Sequence, residues 1–132
     1  MFNTISARIG AACYVLWGLL HYGVAYNVYQ SALGLPPSMA QGRLFQNAFY
    51  LFSFATAGIV IAVSLNWHNS RAGFWANALL VGVADVPFIL FVLVPGYLPL
   101  LFGSLGPDLW VAGMLFTGLG QASRGAVTRA TA

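Results

Sequence analysis

Residues 72–94 read AGFWANALLVGVADVPFILFVLV, an apolar run in which Asp85 carries the one formal charge. A helix that crosses about 30 Å of hydrocarbon needs roughly 20 mostly apolar residues. This stretch therefore predicts a membrane-spanning helix with an acid near its middle. Pro87 follows the acid by two residues, and a proline inside a helix removes a hydrogen-bond donor. We expect the helix to be kinked there.

Three further apolar stretches flank this one, so the sequence predicts an all-α integral membrane protein with four transmembrane helices in one bundle. A single domain, 1–132, holds all of them. The four predicted spans cover residues 9–29, 44–65, 72–94 and 107–123. The last is short for a span, and we expect it to continue past Ser123.

Local signals explain where the spans end. Pro36 and Pro37 stop the first helix, and Ser38 followed by Gln41 forms a capping box for the second. A short polar link at 66–70 makes spans two and three antiparallel neighbours, with Asn69 or Ser70 as the helix cap. Residues 95–107 are apolar but rich in proline and glycine, which predicts an interfacial or re-entrant loop.

The composition excludes other classes of protein. The chain of 132 residues is 60% hydrophobic and only 5% charged, whereas a soluble domain carries about 25% charged residues. Five dispersed arginines form no basic stripe, so nucleic acid is not an expected partner. One cysteine, Cys13, excludes a disulfide scaffold. Membrane lipids are the expected surroundings.

Arginine placement predicts the orientation. Arg43 lies between spans one and two, and the other four arginines fall on the opposite side of the membrane: Arg8, Arg71, Arg124 and Arg129. By the positive-inside rule both termini are cytoplasmic. The predicted location is the bacterial inner membrane.

An ionisable group inside a span is costly and is a functional candidate by default. At 1.5 Å per residue, His21 lies about 4 Å and Asp85 about 2 Å beyond the centre of their spans, both toward the outer side. We therefore predict a His21–Asp85 pair, which could give and take protons near neutral pH. The alternative is structural, since polar side chains in spans often only join helices.

Five further side chains are predicted to bind the ligand of such a site. Trp17 lies one helical turn before His21 and places an aromatic surface on the same face. Tyr26, Asn47 and Thr56 would hydrogen-bond the polar end of a ligand, and Trp110 would lie between them and the outer surface. His68 is too distant in depth from His21 for a shared haem, and no metal spacing occurs, so no metal or cofactor is predicted.

The four-span layout resembles DoxX-like proteins and, more distantly, the sterol-isomerase type of four-helix fold. The stretch Trp17-Gly18-Leu19-Leu20-His21 looks like the openings of proteins of this kind. The isomerase type uses intramembrane acids on several spans, whereas this chain has Asp85 alone. Small multidrug transporters depend on an acid in the first span, where this chain has His21. No site residue is transferred from these families.

These features predict a membrane protein that binds a lipophilic small molecule in an intramembrane polar and aromatic cavity. Its chemistry could be acid/base isomerisation, cyclisation, hydration or hydrolysis of a terpenoid-, sterol- or quinone-like substrate. One alternative is a non-catalytic accessory subunit of a larger membrane complex. Another is a small transporter. A homo-oligomer or partner subunits fit the Gly113–Thr117 pair of small residues, which favours close helix packing.

Overall fold

The computed structural model describes residues 2–130, with side chains for residues 4–123. This part of the chain is 88% helical and contains no strand. The elements are α1 (Phe2–Leu33), α2 (Met39–Ser64), a 3₁₀ turn (Asn66–His68), α3 (Arg71–Phe88), a π-helical turn (Ile89–Leu93), α4 (Leu100–Gly103) and α5 (Leu105–Ala130).

Three helical stretches are long and apolar enough to cross a membrane: Thr4–Leu33, Met39–His68 and Arg71–Leu93. By length and composition they indicate a membrane protein, as the sequence predicts. Within the described residues α5 does not join this set. It is long enough, but its glycines, Asp108 and Gln121 lower its hydropathy.

The long helices surround a common interior. α1 packs along α2 on one side and along α5 on the other, and α3 contacts both α2 and α5. α3 therefore faces α1 across the interior. α1 and α5 cross closely, because a Cβ on Gly10 would lie 2.8 Å from the Thr117 backbone nitrogen and 2.9 Å from the Gly113 carbonyl oxygen. The predicted small-residue pair thus packs against another helix of the same chain.

Serine caps begin two of the helices. Ser38 Oγ accepts a hydrogen bond from the Gln41 backbone N–H at 3.2 Å, and Ser70 Oγ accepts one from Gly73 at 3.4 Å. Gln41 does not complete the predicted capping box. Its amide instead donates to the carbonyls of Ala32 and Leu35, which ties the start of α2 to the end of α1.

Pro87 lies inside α3, and the helix widens just beyond it. The Ile89 N–H reaches the carbonyls of both Asp85 and Val86, and the Val94 N–H bonds the Ile89 carbonyl five residues back. Proline lacks an N–H and crowds the preceding turn, which favours such a π-helical insertion. The irregularity after Pro87 therefore takes the form of a π-helical turn, and the predicted kink stays a prediction.

One end of the molecule holds the start of α1, the α2–α3 link and the later part of α5, all of which are predicted to be cytoplasmic. The Arg8 guanidinium lies 5.2 Å from the Trp67 ring, which places the start of α1 beside the α2–α3 link. Asn69 donates to the Gly120 carbonyl at 3.0 Å, which places the later part of α5 at this end too. The 95–104 segment, which includes α4, lies at the other end with the α1–α2 link.

Candidate functional site

Asp85 is held from across the interior by a tryptophan of α1. The Trp17 indole Nε1–H donates to Asp85 Oδ2 at 2.9 Å, and both side chains are almost fully buried. A hydrogen bond from a neutral donor stabilises a buried carboxyl without adding charge. One of the two carboxyl oxygens is therefore occupied by protein, and Oδ1 is left for other contacts.

His21 completes a three-residue cluster on the next turn of α1. Its Nδ1 lies 2.8 Å from the Trp17 carbonyl oxygen, and its ring stacks on the Trp17 indole with centroids 3.9 Å apart. A carbonyl oxygen can only accept, so Nδ1 carries the hydrogen. This fixes the ring so that Nε2 faces Asp85 Oδ1 at 3.8 Å.

The distance between Nε2 and Oδ1 matters chemically. At 3.8 Å the two atoms are too far apart for a direct hydrogen bond but close enough for one small group to contact both. Two bare acceptors facing each other in a low-dielectric interior would repel, which favours one proton held by the pair. We call the space between His21 Nε2 and Asp85 Oδ1 the polar gap.

The polar gap lies at the wall of a cavity of about 400 Å³. His21, Asp85 and Asn47 are its polar lining residues, and aliphatic and aromatic side chains form most of the rest. Leu98, Phe102 and Gly103 line it from the α4 segment, so the chain between α3 and α5 covers one side of the cavity. Gly106 lies beside the polar gap, since a Cβ there would be 3.1 Å from His21 Cε1 and 3.8 Å from Asp85 Oδ1.

The structure brings together four of the predicted site residues and separates three. His21, Asp85 and Trp17 form one cluster, and Asn47 lines the same cavity. The other three lie outside it: Tyr26, Thr56 and Trp110.

The side chains of these three residues are directed away from the cavity that His21 and Asp85 line. Tyr26 lies five residues after His21 and is therefore rotated by about 140° around α1. Its side chain is exposed on the surface of the helix bundle. The Thr56 hydroxyl donates to the Phe52 carbonyl within α2 and also contacts the Tyr22 hydroxyl. Trp110 donates its indole N–H to the Ala78 carbonyl at 3.1 Å and packs on α3.

A second open groove lies between α1 and α2. It has a volume of about 720 Å³ and includes Tyr26, with Tyr22, Tyr29, Phe45, Phe49 and Phe52 as its other aromatic residues. Tyr22 pairs with Phe52 and Tyr29 with Phe45, with ring centroids 5.2 and 5.3 Å apart. Its walls are mostly apolar, and among the residues that line it there is no histidine and no carboxyl group.

Sequence reasoning missed a second buried polar cluster at the arginine-rich end. The Asn77 amide nitrogen donates to Asn66 Oδ1 at 2.8 Å and to the Gly58 carbonyl at 3.2 Å. Gln121 donates to the Asn69 side chain at 2.9 Å. Asn77 precedes Asp85 by eight residues, and this spacing places both on one helix face, which was the available signal.

Metal binding would need more ligands than the site offers. Within the described residues, no group of three or more His, Cys, Asp or Glu side chains lies close enough to hold an ion.

The chain matches no protein-family description, no curated protein and no solved structure.

Proposed function

We propose that this chain is a four-helix transmembrane protein of the bacterial inner membrane, with both termini cytoplasmic, that binds a lipophilic small molecule in the cavity between α1 and α3. The apolar walls suit a ligand that enters from lipid. The length of α5 and its packing along α1 support its assignment as the fourth span.

The proposal extends to acid/base chemistry on the bound ligand. His21 acts as the acid or base, and Asp85 is its partner or the alternate base. Trp17 is a positioning residue, because it contacts both side chains. A dry pocket with one proton-exchanging pair suits isomerisation, cyclisation or hydration of a terpenoid-, sterol- or quinone-like molecule.

One observation carries this proposal: a histidine and a carboxyl group from facing helices meet at the wall of a cavity whose other walls are mostly apolar. A purely structural polar pair would be expected to bond directly, as Asn77 and Asn66 do. His21 and Asp85 instead leave a gap beside the cavity. An intramembrane ionisable pair of this kind is a functional candidate by default.

The test is the lipophile that co-purifies with the protein. The chain is purified in mild detergent, and its bound organic molecules are extracted and identified by mass spectrometry. Ala84 lines the cavity on α3, so Ala84→Leu should fill part of the space and reduce the bound lipophile at least fivefold. Val83→Leu, on the exposed face of the same helix, is the matched control and should retain it.

Other outcomes point elsewhere. A lipophile lost on Tyr26→Ala but retained in Ala84→Leu would place it in the α1–α2 groove and contradict the proposal. No specific lipophile, with obligate co-purification of other membrane subunits, would favour an accessory subunit instead.

A further inference from the structure

We infer that the ligand's polar head is a single neutral oxygen, a hydroxyl, bound in the polar gap with the apolar body directed toward Asn47. This inference rests on the proposed function, because it names the class of molecule that the same cavity takes. It adds the head group, its orientation and its two protein partners.

The geometry of the polar gap suits one oxygen atom. An oxygen atom about 2.8 Å from both partners can contact two atoms that lie 3.8 Å apart if it lies beside the line that joins them, about 2 Å from it. Because Nδ1 and Oδ2 are already bonded to the Trp17 carbonyl and indole, Nε2 and Oδ1 are the atoms left to receive it. With one proton on the pair, the two atoms present one donor and one acceptor, which matches a hydroxyl.

The charges around the cavity favour a neutral head. An anionic head would face the Asp85 carboxyl, and none of the residues that line the cavity is an arginine. An ammonium head has three donors, whereas the polar gap offers at most two acceptors, so a third donor would lie against apolar wall at a cost. A neutral oxygen leaves no charge and no unpaired donor.

The shape of the cavity orients the ligand. Its inner end holds His21, Asp85 and Gly106, and its walls continue past Val24 and Val28 to Asn47 and the α4 segment. A volume of about 400 Å³ lies near the lower end of small-molecule pockets, which favours a compact ring system or a short branched chain. The head therefore points inward, and the apolar body follows α1 outward.

The experiment compares three probes of one skeleton: 2-tetralol, 2-aminotetralin and 2-methyltetralin. Their affinities for the full chain in lipid nanodiscs are measured by equilibrium dialysis. The ¹⁵N chemical shifts of the imidazoles report contact at the polar gap, because the chain has just two histidines and His68→Gln assigns His21. We expect 2-tetralol to bind about tenfold more tightly than 2-methyltetralin and to shift His21 Nε2.

Two variants isolate the head group. Gly106→Ala places a methyl group beside both atoms of the polar gap and should remove the preference for 2-tetralol while 2-methyltetralin still binds. Asp85→Asn should remove the preference as well, because its amide N–H can donate to His21 Nε2. Thermal unfolding of each variant in the same nanodiscs verifies the fold.

The outcomes separate this inference from the proposed function. If all three probes bind equally and Ala84→Leu removes their binding, the inference about the head group is wrong and the proposal that the cavity binds a lipophile stands. If 2-aminotetralin binds most tightly, the inference of a neutral oxygen is wrong and the cavity takes an ammonium head group. Probe binding that is unchanged in Ala84→Leu would overturn the proposed function itself.

Discussion

Trp17 makes three contacts to the candidate site, one of which is the stacking of its indole on the His21 ring. Its indole N–H donates to Asp85 across the interior, and its backbone carbonyl fixes the His21 ring one turn later. The carbonyl contact survives any substitution, whereas the indole contact depends on this side chain. Trp17 therefore allows the carboxyl contact to be removed while the histidine contact stays.

Trp17→Phe should destabilise the protein by about 1–2 kcal/mol, because it leaves the buried Asp85 Oδ2 without its donor while keeping an aromatic ring in place. The measurement is the free energy of unfolding in mixed micelles, followed by circular dichroism as SDS is added. Trp75→Phe is the control, since Trp75 is more than half exposed on α3, and its change should be near zero. Equal losses in the two variants would show that the Trp17–Asp85 bond contributes nothing.

At the scale of the helix, the α1–α5 crossing depends on a glycine. A Cβ at Gly10 would lie 2.6 Å from Thr117 Cγ2 and under 3 Å from two backbone atoms, which cannot move independently of α5. Gly23 lies on the same helix with nothing within 4 Å of the equivalent position. Replacing either glycine by alanine has the same effect on helix propensity. At Gly10 the new methyl group would also meet α5, whereas at Gly23 it would meet nothing.

Gly10→Ala should lower the free energy of unfolding by about 1–3 kcal/mol, because the helices must separate to admit the methyl group. Gly23→Ala should leave it unchanged or raise it by up to about 1 kcal/mol, since alanine is the better helix former. The same SDS titration measures both. Stabilisation by Gly10→Ala would mean that the crossing is looser than the structure shows.

The helices were predictable from the sequence, but the direction in which each side chain points, toward the interior or away from it, was less predictable. Long apolar runs give the number and approximate limits of helices, and the rise per residue gives depth. That reasoning brought His21 and Asp85 to one level. It could not separate Asn47, which lines the cavity, from Thr56, which turns to its own backbone, because their positions depend on how α2 is rotated in the packed structure.

The π-helical turn after Pro87 illustrates the same difference. Proline at this position predicts a kinked helix, but the form of the irregularity depends on how neighbouring residues accommodate it. In the widened turn, Val92 lines the cavity. Leu93 in the same turn packs against Gly103 of α4. Local sequence therefore predicted the place of the irregularity, and tertiary packing determined its shape.

Over the described part of the molecule, most buried polar side chains form two clusters at different depths, and Thr117, which donates to the Gly113 carbonyl of its own helix, belongs to neither. One comprises Trp17, His21 and Asp85 beside the cavity, and the other comprises Asn66, Asn69, Asn77 and Gln121 near the α2–α3 link. Val81 lies fully buried on α3 between Asn77 and Asp85. The cavity lies on the α4 side of Val81, which the proposed topology places toward the outside of the cytoplasm.

The proposed topology predicts which links face each side of the membrane. In a Cys13→Ser background, single cysteines are placed at Pro37, His68, Tyr97 and Ser123, and a membrane-impermeant maleimide is applied to intact bacterial cells. Pro37→Cys and Tyr97→Cys should be labelled at once, whereas His68→Cys and Ser123→Cys should react after permeabilisation. The distinction rests on α5 crossing the membrane, because three spans would leave Tyr97 and Ser123 on the same side. Equal labelling of those two positions would refute the fourth span, and with it the depth at which Gly106 meets His21.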